Sequence, residues 1–305
     1  MEKVKVKCKF CGLLKEGFRI KHYNLKICFD CFPDFFKNRI QHTIEKFKMF
    51  EKDSSLLVAI SGGKDSMSMA KALKELGYNL RAIHLNVNLG DISDKSQKIV
   101  EKFCQNENIP LLIIDLNLEL NVSLKDLSRI SRRPICAVCG MLRRYFINRE
   151  AKDEVIVTGH TLNDEVSFIF KNMLFWNDDL LSRISPLLYE KEGLHRKVKP
   201  LCFITEEETL QFCNVMKIEH IEDACPYKSE VYDVFKDTVN HFNQKFPGSI
   251  LGFYKGFLKR VENFYSVSSN STYLQACQSC GYPTNMSLCS ICRLKEKLLQ
   301  YKNHG

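Results

Sequence analysis

A chain of 305 residues has room for one large domain plus smaller modules, and an apolar content of 45% is enough for a packed core. No run approaches the ~20 apolar residues of a membrane-crossing helix, and the opening "MEKVKVKCKFCG" lacks the apolar stretch of a secretory signal, so a cytoplasmic protein with no membrane partner is expected. The net charge of +9 gathers at the ends: residues 1–52 hold 13 basic against 6 acidic side chains and residues 265–305 hold 4 against 1, which leaves 53–264 at −1 and fits a polyanion held by basic appendages.

Fourteen cysteines in a reducing compartment favour metal ligation over disulfides. In chain order the first group is Cys8, Cys11, Cys28 and Cys31, two C-x-x-C turns whose four thiolates can close a tetrahedron around a structural zinc. His22 lies between the pairs and could replace a ligand, but reads better as a surface histidine. Beyond residue 52 apolar runs alternate with helical patterns. Strands are predicted at 56–60, 80–87, 111–115, 155–158 and 218–222, and helices near 64–77, 94–107, 138–151, 164–175 and 205–216. That order predicts an α/β fold with a doubly wound parallel sheet over 53–264. A polar stretch, 266–276, reads as a linker. Cys277, Cys280, Cys289 and Cys292 then repeat the four-cysteine plan in a C-terminal module over 265–305, matching the N-terminal module and basic helix of 1–52.

Four unusual segments fall on β-to-α connections and so on the carboxyl edge of the predicted sheet, where open α/β sheets bind ligands. "SGGKDS" (61–66) follows the first strand; its small residues free backbone N–H groups at a helix N-terminus, and Lys64 adds a cation, which makes an anion site. "GHTLNDE" (159–165) follows the fourth strand. Cys136 and Cys139 form a C-x-x-C before the helix at 138, and Cys225 follows the last strand. These three cysteines belong to neither four-cysteine set; a redox pair, a persulfide carrier or a metal site are all open to them. Cys104, Cys202 and Cys213 fit apolar patterns and are expected in the core. Residues 129–149 hold six arginines and no acid, a candidate contact for phosphates.

"SGGKDS" is the signature of the PP-loop ATP pyrophosphatases, and with "CAVCG", "GH…DE", a late "CP" and two flanking zinc modules the chain resembles the tRNA 2-thiouridine synthetases over essentially its whole length. The resemblance implies ATP on Ala59, Ser61, Gly62, Gly63, Lys64, Asp65 and Ser66, with adenine near His84 and Leu85 and with Gly159 and Asp164 alongside. It implies a [4Fe–4S] cluster on Cys136, Cys139 and Cys225, two Zn²⁺ on the end modules, and Mg²⁺ with the nucleotide. The implied reaction adenylates a tRNA uridine at its C2 carbonyl and replaces that oxygen with sulfur, which comes from inorganic sulfide or a ubiquitin-like thiocarboxylate carrier protein. A homodimer is common in the family. Asp164 would handle protons or magnesium, or else cap its helix. Two positions depart from the family pattern. Thr161 and Asn163 replace the amide and one carboxylate of the family's "GHNLDDE", and Arg143 replaces a lysine four residues after the second cluster cysteine; an arginine cannot donate a proton near neutral pH. Two other readings stay open: a PP-loop ligase or sulfurtransferase using a persulfide or zinc without iron, and a zinc-dependent RNA-binding protein with a degenerate loop. Metal analysis should return about two zinc ions per chain, with Cys8→Ser and Cys277→Ser each losing one.

Overall fold

The computed structural model describes residues 4–182, 184–228, 230–265 and 274–303; most of the predicted linker, 266–273, lies outside them. The chain opens with β1 (Val4–Lys7), β2 (Leu14–Ile20), β3 (Leu25–Cys28) and α1 (Phe32–Phe47). The body follows as β4 (Ser55–Ala59), α2 (Lys64–Glu75), β5 (Asn79–Asn86), α3 (Asp91–Asn106), β6 (Leu111–Asp115), α4 (Leu116–Leu120), α5 (Leu124–Ser131), α6 (Ile135–Glu150) and β7 (Val155–Thr158). It continues through α7 (Leu162–Leu174), α8 (Asp178–Leu181), β8 (Leu187–Leu188), β9 (Lys197–Val198), α9 (Glu206–Met216), α10 (Glu230–Lys245) and α11 (Ser249–Tyr265). The last elements are β10 (Gln275–Ala276), β11 (Pro283–Thr284) and α12 (Ser290–Asn303).

The central sheet has six strands in the order β6-β5-β4-β7-β9-β8, parallel except for the edge strand β8. The order reverses at β4, with β5 on one side and β7 on the other, so the crevice past the carboxyl ends of β4 and β7 is the switch point. Both faces of β4 are buried, and its residues divide by parity as the pleat requires. Leu56, Val58 and Ile60 join an apolar cluster with α1, α2, α3 and α9. Leu57 joins a second cluster with Ile83, Ile156 and the inner faces of α5, α6 and α12. A third cluster packs α7 against α10 and α11.

Each four-cysteine module is built into one of these clusters. On the N-terminal side, Phe18, Ile27, Phe32 and Phe36 are fully buried and continuous with Leu56 and Met67, and Phe36 stacks on Phe212 of α9 at 4.2 Å between ring centres. Gly17 is where β2 meets β3 too closely for a side chain: a Cβ there would lie 2.1 Å from the Ile27 carbonyl oxygen. On the opposite face, Cys277, Cys289 and Ile291 pack with Leu127 and Leu142, and Tyr282 lies against Tyr145 of α6. The cysteine sulfurs within each set converge to within 4.8 Å of one another, a spacing that suits one metal ion each.

Three expectations need correction. Residues 218–222 form no strand; β9 and β8 take that side of β7, and Ile221 makes only a single bridge to Gly63. Helix α6 begins at Ile135, behind Pro134, so Cys136 and Cys139 lie in its first turn and not in the connection before it. His22 is not a surface residue: its ring is largely buried, with Nε2 3.4 Å from Glu208. The helices α4, α5, α8, α11 and α12 add to those the sequence predicts. Cys104, Cys202 and Cys213 are buried as expected.

Glu208 ties the N-terminal module to the body. Its carboxylate closes a capping box with Thr205 at the start of α9 and also accepts from Arg39 of α1 and faces His22. Burial would raise this carboxyl, but Arg39, His22 and the Thr205 N–H outweigh it and hold it at about 2. Glu208→Gln should therefore cost about 3–5 kcal/mol of unfolding free energy by leaving Arg39 buried beside a neutral amide. The folded carboxyl titrates below its unfolded value, so this contribution is present above about pH 4 and is lost as the pH falls toward 2; urea titrations at pH 7 and pH 3 should show the variant's deficit shrinking on acidification.

Candidate active site

The turn after β4 is shaped by its own serines. Ser66 Oγ accepts from the Ser61 N–H at 3.1 Å and donates to the Gly63 carbonyl at 3.1 Å, while the Ser61 hydroxyl accepts from the Gly63 N–H at 3.4 Å. Gly62 takes a positive φ of 84°, and a Cβ there would come within 2.7 Å of Ser96 Oγ, so only glycine fits. Helix α2 then starts at Lys64, with its first N–H groups pointed at the crevice. Gly159, at the end of β7, packs against the same turn: a Cβ would lie 3.0 Å from Ser66 Cα and 3.1 Å from Ser66 N. "SGGKDS" and "GH" thus meet backbone to backbone.

This turn walls a cavity of about 590 Å³. Of the predicted nucleotide residues, Ala59, Ser61, Gly63, Asp65, Ser66, Leu85 and Gly159 line it, together with Arg143. Gly62, Lys64, His84 and Asp164 are not on its wall. Lys64 instead turns toward Asp65 at 3.1 Å and Glu206 at 3.9 Å. His84 is buried with Nδ1 2.9 Å from the Ile60 carbonyl oxygen, and burial lowers its pKa. The sequence reading missed Arg144, His160, His195, Lys197 and Tyr282, all on the wall. Arg144, His160 and Tyr282 had signals, an arginine run, the "GHTLNDE" segment and a tyrosine within the C-terminal four-cysteine set; His195 and Lys197 sit in a segment with no motif.

Both carboxylate oxygens of Asp164 are engaged by the fold. Its Oδ2 accepts from the Thr161 N–H at 3.0 Å and from the Thr161 hydroxyl at 2.9 Å, completing the capping box of α7. Its Oδ1 accepts from Tyr232 at 2.8 Å and Lys236 at 2.9 Å, both on α10. Burial would raise the carboxyl, but Lys236, His160 and the cap hold it well below the usual carboxylate range. Of the two roles open to it, the helix cap is the one the geometry supports. The same neighbourhood accounts for Asn163. Its amide donates to Asn240 at 2.7 Å and its carbonyl accepts from the Glu206 N–H at 3.1 Å. A carboxylate could not donate to Asn240 and would add charge beside Asp164 and Glu206.

The three unassigned cysteines stand outside both four-cysteine sets. Cys136 and Cys225 are exposed and Cys139 is half-buried. The spacing of Cys136 and Cys139 puts both on one face of the first turn of α6, and Arg143, one turn on, donates from Nε to Cys139 Sγ at 3.4 Å. The segment bearing Cys225 is tied to the PP-loop at its start, where the Ile221 N–H donates to the Gly62 carbonyl at 2.8 Å, and beyond Cys225 the Tyr227 ring centre lies 5.7 Å from Lys125 Nζ of α5. Among the described residues these three sulfurs do not form a group within 4.8 Å, the reach of one ion's ligands. Three accessible thiols without disulfide partners are a donor set that fits an iron–sulfur cluster, a larger body than a single ion. The arginine-rich stretch is less basic than its sequence: Arg129 pairs with Asp126, and Arg149 with Glu119 and Glu150. Arg132 and Arg133 are exposed just before α6.

Asp164→Ala removes the cap and one of the two carboxylates that Lys236 pairs with, Glu206 being the other, so it should cost roughly 3 kcal/mol, against about 1 kcal/mol for Thr161→Ala. Chemical denaturation of both variants checks this; an Asp164→Ala protein as stable as the parent would contradict the structural role.

The PP-loop domain family matches residues 35–232. The tRNA-5-methyluridine(54) 2-sulfurtransferase of Thermotoga maritima is 38% identical, over 98% of this chain and 99% of that protein. The enzyme of the same name from Pyrococcus horikoshii is 33% identical, over 94% and 93% of the two chains. Cytoplasmic tRNA 2-thiolation protein 1 of Oryza sativa is 27% identical, over 95% and 82%. The solved U34-tRNA thiolase NcsA from Methanococcus maripaludis, described with its [4Fe–4S] cluster, shares the fold at a TM-score of 0.81 and 23% identity, with 97% of each chain covered. With the loop, the switch-point crevice and the flanking cysteine modules in place, this chain belongs to the PP-loop family, in the branch whose relatives are tRNA 2-sulfurtransferases.

Proposed function

We propose that this protein is an ATP-dependent tRNA sulfurtransferase that adenylates the C2 carbonyl of a uridine and replaces its oxygen with sulfur. The observation that carries this reading is that the PP-loop and the helix bearing Cys136 and Cys139 share one cavity: Ser61, Asp65 and Ser66 form one wall and Gly140 and Arg143 of α6 another. Adenylation and sulfur delivery must act on the same carbon, so they need adjoining sites. The 5-methyluridine at position 54 is the favoured substrate, because the relatives named for it are 33–38% identical whereas the 2-thiolation proteins are 25–27% identical.

The loop N–H groups, the α2 N-terminus and the hydroxyls of Ser61 and Ser66 bind the ATP phosphates, and Ala59, Ile83 and Leu85 flank the base. Magnesium bound with ATP would meet Asp65, the carboxylate on the cavity wall, and not Asp164. Arg143 and Arg144 face the loop and stabilise charge that builds as pyrophosphate leaves. Cys136, Cys139 and Cys225 would hold the cluster, which, bound by three thiolates only, would supply a site for the incoming sulfur. The exposed Arg132 and Arg133 beside that site serve tRNA phosphates, and a thiocarboxylate carrier or sulfide supplies the sulfur. Zinc in the two four-cysteine sets is structural, since each set is complete without an open position.

The test is nucleoside mass spectrometry of tRNA incubated with anaerobically reconstituted protein, ATP and sulfide. The expected product is 2-thio-5-methyluridine at position 54, with Cys136→Ala, Cys139→Ala and Cys225→Ala each losing iron and thiolation while retaining ATP binding. Thiolation at position 34 would reassign the substrate, and full activity in a colourless, iron-free protein would favour a persulfide route.

A further inference from the structure

Arg143 stands on the cavity wall, and an arginine is protonated at every accessible pH, so it cannot accept a proton there. A proton must nevertheless leave the substrate: when the uracil O2 bonds to the α-phosphorus, its N3–H becomes acidic. We propose that Lys197 is a catalytic residue of this chain, the base that takes the N3 proton of the uracil during adenylation; this rests on the function proposed above.

Lys197 lies on the face of the sheet that turns toward α6. It stands in register with Ile156 on β7 and Leu188 on β8, so it is the one cation in a row of apolar side chains along that wall of the cavity. Across the same cavity stands the PP-loop. The lysines around the loop are otherwise neutralised: Lys64 has Asp65, Lys199 has Glu165 at 2.8 Å, and Lys236 has Asp164 at 2.9 Å. Among the described residues Lys197 has no carboxylate and no hydrogen-bond partner, and it is half-buried. A half-buried lysine held without a partner against apolar strands has little structural reason to be there.

The charges facing it come from several elements: Arg144 on α6, Lys199 just beyond its own strand, and Glu165 on α7. His160 on the turn after β7 and His195 just before β9 share the cavity wall with it. Burial, then Lys199 and Arg144, bring the ammonium down to about 8, against the smaller opposing effect of Glu165. About a tenth of the side chain is therefore uncharged at pH 7, and about half at pH 8, which puts the amine within working range of a general base. His160 is a much weaker candidate, since burial and Lys199 push it down to about 4. In the step itself the O2–phosphorus bond forms and the phosphorus–oxygen bond to pyrophosphate breaks. The N3–H pair becomes the C2–N3 double bond, and the proton goes to the lone pair of Lys197 Nζ, from which it passes to solvent.

The experiment measures single-turnover pyrophosphate release by the full chain, with ATP and tRNA carrying unthiolated 5-methyluridine, from pH 6 to 9.5. The wild-type rate should rise with pH and level off above about 8. Lys197→Met should lower it by ~10²-fold and abolish the rise, leave ATP affinity in place, and recover partly with added methylamine. Lys197→Arg, which keeps charge and size, should not recover. A Lys197→Met protein with the wild-type rate overturns the proposal, and so does one with an unchanged pH profile and no amine rescue. Loss of the pH rise in His195→Ala alone would move the role to that imidazole. A wild-type protein that releases no pyrophosphate with any tRNA overturns the functional reading itself, and the role of Lys197 with it.

Discussion

Everything in this protein hangs on a strand with no exposed face. β4 is buried on both sides, and its alternating residues send Leu56, Val58 and Ile60 into one apolar cluster and Leu57 into another. Each cluster then recruits one of the end modules, the N-terminal module through Phe32 and Phe36 and the C-terminal one through Cys277 and Ile291. The small cysteine modules, too short to bury a core of their own, gain one by sharing the body's. The same strand ends at Ala59, so the turn that follows is anchored from both faces and held at the crevice where the strand order reverses.

Charge is handled differently on the two sides of that turn. Behind it lies a dense set of paired groups. Glu208 with Arg39 and His22, Glu206 and Asp164 with Lys236, and Asp65 with Thr209 connect α1, α2, α7, α9 and α10. Removing one member strands a charge in a low-dielectric setting, so the set defines one arrangement of five helices rather than adding much net stability. In front of it, the cavity carries Arg143, Arg144 and Lys197, which have no carboxylate partners among the described residues. Cations left unpaired in a crevice focus a positive field on the place where an anionic nucleotide and a nucleic acid would meet. Some arginines are spent on pairing instead: Arg39 of the N-terminal module serves packing, and Arg129 and Arg149 of the body are paired with acids from outside their own stretch.

The departures from the family pattern take on meaning in this setting. Asn163 is a bidirectional link, donating to Asn240 and capping α9 through the Glu206 N–H. It therefore argues for an intact scaffold and against a decayed loop. Arg143 keeps a cation on the cavity wall and contacts Cys139, while the proton exchange proposed above falls to Lys197 of β9 on the same cavity.

The local motifs were legible because each is a short-range geometric demand. "SGGKDS" specifies a strand–turn–helix by its glycine and serine content, and four thiolates in two C-x-x-C turns specify a tetrahedral site wherever they fold. Apolar periodicity placed four strands of the sheet and five helices, because a buried strand or an amphipathic helix must advertise its faces. What the sequence could not show was set by neighbours far along the chain. β8 and β9 are two-residue strands that exist only because β7 offers a free edge, while "IEHIE", which reads as a strand, finds that edge occupied. Asp164 reads equally well as a catalytic acid or a helix cap until Tyr232 and Lys236 arrive from α10 to occupy it. Lys197 carries no motif at all; only the register of β9 against Ile156 turns it into the cavity and leaves it without a partner. The sequence by itself determined which chemical groups this protein owns and the local turns that present them, because bond geometry and short-range hydrogen bonds decide those. The tertiary structure decided which of the groups are spent on holding the fold and which are left free to react, because burial and pairing depend on every element at once.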